Sequence, residues 1–411
     1  MFNSSSYLDM CLRLTKNSPS INTLSHLSHL PLVIDYPDKT GTTARKDKDN
    51  IHLGLQQHGR ICQVVLHAPS SSSRLWLGQM NQLFPRLTDL SLFSTTTEEM
   101  SLLLPETLQA PDLRHLTLHG IGLPKGLPLL SSAITLSTLS LTHIGASSYF
   151  PPGHLVTQLR GLPHLEILSI GFAVPIPSPS SERELLHPPI PPVTVPSLRT
   201  LKFRGMGVYL DNLVAQINTP LLERLDLTLF FELAFTLVNL TAFIHRTDGF
   251  RCLVSQVTFN KGGVSINAGQ YEQPGIQKFS LHIKCKCLDW QIDSATQVCS
   301  ALGTVVSALE ELTLDLNADG MISDWENTLD NMMWHDLLLP FVGVKSLHIG
   351  SSLTLELSQA LESVDGELVP ELLPELQQIR VHFSIDDAKN AFSAFVGARE
   401  SVGRPIHLVI E

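Results

Sequence analysis

The chain has 411 residues, more than one ordinary globular core accommodates, and 43% hydrophobic against 16% charged residues marks it as folded rather than disordered. Its 28 basic and 39 acidic residues leave a net charge of -11, which argues against broad nucleic-acid binding, since that needs a basic surface. No run of about 18 or more apolar residues reads as a membrane span. The opening MFNSSSYLDMCLRLTKNSPS lacks a basic run followed by a long apolar one, so no signal peptide is expected, and the six cysteines read as free thiols in the cytoplasm or nucleus.

Residues 1–58 carry no clean repeat and are expected to cap the repeats beyond them. Within them Leu30, Leu32, Val33, Ile34 and Tyr36 make one strand, TGTTARKDKDN reads as a polar loop, and Asn50 to Gly59 as a short helix closed by glycine. From Arg60 onward one pattern returns, Leu-x-x-Leu-x-Leu. After a first strand at Ile61, Val64 and Leu66, its clear copies are Leu87, Leu90, Leu92; Leu113, Leu116, Leu118; and Leu136, Leu139, Leu141. Later copies are Leu165, Leu168, Ile170; Leu198, Leu201, Phe203; and Leu222, Leu225, Leu227. A degenerate copy at Val254, Val257, Phe259 precedes Ile276, Phe279, Leu281 and Leu309, Leu312, Leu314. Val344, Leu347, Ile349 and Leu376, Ile379, Val381 complete the series, and IHLVIE reads as a closing strand. NLTAFIHR and FSAFVGARE read as helices between strands, and PIPSPSSERELLHPPIPPVTVP as a proline-rich surface loop.

One such unit cannot bury its own apolar face, whereas stacked units can. The pattern therefore predicts an α/β fold, an irregular leucine-rich-repeat solenoid over 59–411. Its parallel strands would line the concave face, with helices and loops on the convex face. The spacing, roughly 22 to 35 residues, runs around and above the usual repeat length. Thr95, Ile121, Ile144 and Met206 stand where the standard repeat has asparagine or cysteine.

In such a fold the polar alternates of the strands point outward, toward a partner. Between the last two apolar positions stand Ser91, Thr117, Ser140, Ser169, Lys202, Asp226, Thr258, Ser280, Thr313, His348 and Arg380. Just after them come Phe93, His119, Thr142, Gly171, Arg204, Thr228, Asn260, His282, Asp315, Gly350 and His382. Lys202, Arg204 and Arg224 form one expected basic spot, and Lys278, His282 and Lys284 another, while Glu311 and Asp315 are acidic. A mixed face of this kind suits a protein partner.

A second candidate is DLNADGMISDWE, which fits a calcium loop at every key position. Asp315, Asn317, Asp319, Ser323 and Glu326 would supply side-chain oxygens, Met321 a carbonyl, and Gly320 the tight turn. Against it, Leu309, Leu312 and Leu314 keep step with the repeat strands where a calcium loop of this type needs a helix. The Cys285-Lys286-Cys287 pair is not zinc spacing, and no nucleophile with its base, Walker or zinc-protease motif is present, so neither cofactor nor enzyme chemistry is expected.

The layout resembles the F-box/leucine-rich-repeat proteins of mushroom-forming fungi. The residues that carry the likeness are LPLVIDYP, an acidic-basic loop, a helix with RICQVVL, then SLHIKCKCLDW and DNMMWHDLLLPFVGVKSLHI. The resemblance covers the repeat arm, and residues 1–28 do not supply the helices of an F-box. It implies the substrate-binding arm of an SCF-type ubiquitin ligase receptor, in which an F-box docks the adaptor and the repeats choose the protein target. With an F-box supplied upstream the SCF adaptor would be a further partner; without that docking element the resemblance implies a stand-alone interaction module. Nucleic acid and membrane are not expected partners.

Overall fold

In the computed structural model the Leu-x-x-Leu-x-Leu copies lie on strands with their last two apolar residues turned inward, as strand alternation requires. The structure describes residues 11–15, 30–36, 45–68, 70–94, 102–124, 128–175, 192–235, 237–247, 252–270, 277–317, 331–362, 372–381 and 385–410. Leu90, Leu92, Leu116, Leu118, Leu139, Leu141, Leu168, Ile170, Leu201 and Phe203 are none of them more than 3% exposed. Burying each contributes about 1.5–3 kcal/mol. In the copies at Leu87, Leu113, Leu136, Leu165 and Leu198 the leading leucine is buried on the turn entering its strand. There the N–H of Leu87, Leu113, Leu136, Leu165 and Leu198 donates to the carbonyl three residues back. The next N–H reaches the preceding copy, as Arg114 to the Thr88 carbonyl and Ser137 to the Arg114 carbonyl, both at 2.8 Å. Each of these copies is thereby stitched to its neighbour before the strand begins.

The chain divides into two units, Met1–Gly205 with Gln216–Leu222, and Met206–Ala215 with Glu223–Glu411. The main sheet of the first unit runs β1 (Leu12–Leu14), β2 (Leu32–Tyr36), β3 (Ile61–Ala68), β4 (Asp89–Ser94), β6 (His115–His119), β8 (Thr138–Ile144), β9 (Ile167–Phe172) and β11 (Thr200–Gly205), in that order. Every neighbour in it is parallel. Two short parallel pairs lie beside it, β5 (Leu102–Leu103) with β7 (Ile121–Gly122) and β10 (Val193–Thr194) with β12 (Ile217–Asn218). Ile121 and Ile144, at positions where asparagine is the standard residue, are buried and apolar. The stretch read as a polar loop is half wrong: a helix spans Arg45–Leu55, so its last six residues are helical. Ile51 and Leu55, one turn apart and fully buried, give that helix its inner face.

The second unit orders its main sheet β13 (Arg224–Phe230), β16 (Gln277–Lys284), β15 (Gly263–Gly269), β14 (Val254–Asn260), β17 (Glu311–Leu316), β18 (Ser346–Ile349), β19 (Gln378–Val381) and β20 (His407–Ile410). The expected run of parallel strands breaks here. β14, β15 and β16 form an antiparallel meander, which places the last of the three beside β13 and the first beside β17. From β14 through β17 to β20 the pairing is again parallel. Helices Leu288–Ala301, Asn331–Leu338, Thr354–Leu361 and Ile385–Ser401 pack successively against one another. Trp334 meets Phe259 edge-on at 5.4 Å, so the helices cover the apolar face of this sheet and leave the polar alternates on the other. Both units are thus mixed α/β with long, mostly parallel sheets, and neither sheet closes on itself as a barrel. Among the described residues no helix is long and apolar enough to cross a membrane.

Candidate functional site

Parallel pairing in register turns the outward positions of the first unit into straight rows across strands. The first row reads Gln63, Asp89, His115, Thr138, Ile167 and Thr200. The second reads Val65, Ser91, Thr117, Ser140, Ser169 and Lys202. The third starts His67, Phe93, His119, Thr142 and ends with Gly171 beside Arg204. The expected Ser91, Thr117, Ser140 and Lys202 therefore share one row, and His119 and Arg204 belong to the next.

The third row is interrupted at β8. Leu141 pairs with Ile170 and Ile144 with Phe172, so Thr142 and His143 together oppose Gly171. This is a bulge, and His143 adopts a left-handed backbone within it (φ 57°). Plain alternation would have buried His143. The extra residue instead brings its ring onto that of His119, stacked at 5.1 Å and 21°. His119 Nδ1 also lies 3.0 Å from Thr142 Oγ1. One strand away His67 stacks on Phe93 at 4.0 Å and 11°. Burial lowers the His119 pKa below its usual 6.5, and His143, His67 and Arg204 lower it further by repelling its proton. In the first row Asp89 Oδ1 lies 2.9 Å from His115 Nδ1.

The second unit carries outward rows of its own, with Lys278 and Lys284 of β16 on the same side as His282. Asp226, Ser280, Asn267, Gln256, Thr313, His348 and Arg380 form one row. Thr228, His282, Ser265, Thr258 and Asp315 form the next. Thr258 is thus out of the row expected for it. It faces Asp315, and Gln256 stands beside Thr313, because the meander slides β14 by two residues. Arg224 Nη2 lies 3.9 Å from Asp226, His348 Nε2 lies 3.1 Å from Glu311, and Arg380 donates to Gln378 Oε1 at 3.3 Å. His282 Nδ1 meets Ser265 Oγ at 3.0 Å, and burial, then Lys284, lowers its pKa. Lys202 and Arg204 are on β11 of the first unit and Arg224 on β13 of the second.

Of the calcium-loop residues, Asp315 lies within β17 and Asn317 just after it, and Asp315 Oδ1 accepts from the Leu316 N–H at 2.8 Å. Asp319, Met321, Ser323 and Glu326 lie outside the described residues, as does His382. Cys285 is buried while Cys287 is exposed at the N-cap of Leu288–Ala301, so the two thiols do not share a face. Burial pushes the thiols of Cys252 and Cys285 up to about 11 and Cys299 up to about 12. Among the described residues no group of three or more His, Cys, Asp or Glu is placed to hold a metal ion.

No family model matches the chain. No curated protein sequence matches it either.

Proposed function

We propose that the chain is a non-catalytic recognition module of the leucine-rich-repeat solenoid type, which takes a protein partner on the polar face of its strands. The observation that carries this reading is the straight, in-register array of polar residues on β3, β4, β6, β8, β9 and β11. Such an array is rigid, lies opposite the apolar face, and offers hydroxyls, imidazoles and cations at fixed spacing. The likeness of LPLVIDYP, RICQVVL and SLHIKCKCLDW to F-box/leucine-rich-repeat proteins supports the narrower reading of a substrate-binding arm of an SCF-type ubiquitin ligase receptor.

Affinity purification of the tagged chain from its own cells, with mass spectrometry, tests both levels. Co-purification of the SCF adaptor and a cullin supports the ligase reading. An enriched partner without them supports a stand-alone module. The doubly substituted Lys202→Glu, Arg204→Glu chain is expected to fold and to lose that partner. Full retention of the partner by the folded variant would move recognition off this face.

A further inference from the structure

The third row of the first unit gathers imidazoles beside an arginine. From β3 to β11 its outward groups are His67, Phe93, His119, His143 and Arg204, with Lys202 one row away. Among the described residues the row holds no carboxylate, in a chain whose net charge is -11. The bulge at Thr142 and His143 adds an imidazole that strand alternation would have buried. Opposite it Gly171 supplies no side chain, and a Cβ there would already touch Arg204 and Thr142, at 3.6 and 3.7 Å.

We propose that this strip docks an extended acidic peptide of a protein partner, with carboxylates against Arg204, Lys202 and His119 and the peptide's apolar parts on the His67–Phe93 stack; the inference rests on the recognition reading above. Charge complementarity selects this occupant. Imidazoles and a guanidinium held together oppose one another's protonation, and an arriving carboxylate relieves that opposition. The groups facing His119 are His67 from β3, His143 from β8 and Arg204 from β11, all cationic when charged. Asp89, the carboxylate of β4, lies toward the other edge of the face against His115. The strip crosses five strand gaps of about 4.8 Å, on the order of 24 Å, which is the reach of about seven extended residues.

The test is fluorescence anisotropy of the full chain with a labelled peptide of alternating glutamate and alanine, and with its glutamine counterpart. The glutamate peptide is expected to bind about tenfold tighter than the glutamine one, and tighter still as pH falls from about 7.5 to about 5.5. Arg204→Glu, and separately the exposed Lys202→Glu, should each weaken it several-fold. His119→Gln should reduce the tightening with acid while the protein stays folded. Equal binding of the two peptides, or undiminished binding in both charge-reversed variants, overturns the proposal. So does binding to phosphatidylserine vesicles in place of the glutamate peptide. A captured cellular partner that depends on Lys202 and Arg204 yet is not displaced by the glutamate peptide ends the acidic-strip inference and leaves the recognition reading standing. No enriched partner and no peptide binding ends both.

Discussion

The side-chain amide of Gln291 donates to the Asn260 carbonyl at 2.8 Å and to the Cys285 carbonyl at 3.1 Å. Asn260 closes β14 and Cys285 follows β16, so one fully buried side chain on the helix Leu288–Ala301 ties the C-terminal ends of the two outer meander strands to the layer that covers them. Gln291→Met keeps the volume and removes both bonds, leaving buried carbonyls unpaired. The expected loss is about 2–3 kcal/mol of stability, read as a lowered urea midpoint at unchanged slope. An unchanged midpoint would mean that water replaces the amide.

Gly263 opens β15 at φ 147°, and a Cβ there would sit 1.9 Å from the Ile283 carbonyl oxygen. No side chain fits without moving a backbone that pairs in the sheet. Gly263→Ala is therefore expected to cost more than about 2 kcal/mol, beyond the ordinary penalty for a residue in a glycine conformation. Gly145→Ala, where an added methyl would meet only open space and φ is ordinary, is the control and should change little. Equal effects from the two would show that the meander turn is free to shift.

The parallel strands were legible because Leu-x-x-Leu-x-Leu is a local signal whose period matches the strand. Leu90, Leu116 and Leu139 face inward as that period demands. β15 was not legible. Its inward residues Val264, Ile266 and Ala268 alternate, but they lie between two glycines, include no leucine and match no leucine template. Thr258 fell in the wrong row for a related reason. Ser255 is buried opposite Leu312, its hydroxyl donating to the Asn267 carbonyl at 3.2 Å, so a serine occupies an inward position that the template reserves for leucine. The candidate face was legible as a set of outward residues. So was most of its third row, Phe93, His119, Thr142, Gly171 and Arg204, but not the place of His143 in it, because the bulge that recruits His143 uses a left-handed residue that no glycine or asparagine marks.

Asp211, on the helix Gly207–Ala215, accepts the backbone N–H of Leu240 at 2.9 Å and the Asn239 amide at 2.8 Å. It serves the first turn of the helix Val238–His245, whose early N–H groups have no partner within the helix. Burial raises its pKa, and the hydrogen bonds from Leu240 and Asn239 oppose that rise. Asp211→Ala should cost about 1–3 kcal/mol, while Asp211→Asn, which keeps an acceptor for the Leu240 N–H, should cost less. Hydrogen exchange at Leu240 gives the local readout. Equal exchange in the wild-type and alanine chains would mean that this N–H does not depend on Asp211.

Acid should weaken the folded state through two histidines. His119 and His282 have pKa values below 6.5 when folded, chiefly because burial disfavours their charged forms. The unfolded chain protonates them first. Above about pH 6.5 both rings are neutral in both states and contribute no slope. As pH falls through 6.5 the unfolded state takes up more protons, so stability falls until the folded rings protonate, and below that it levels. Burial raises the pKa of Asp211 and of Glu232, so those carboxyls act with the opposite sign, the folded state taking the proton first. Their windows open at the ordinary carboxyl values of 3.8 and 4.5 and extend upward. Comparison with variants therefore isolates the imidazoles. His119→Gln and His282→Gln should each flatten the decline in urea midpoint between about pH 7 and pH 5.5, and the double variant should flatten it most. A decline equally steep in all four proteins would assign the acid sensitivity to other groups.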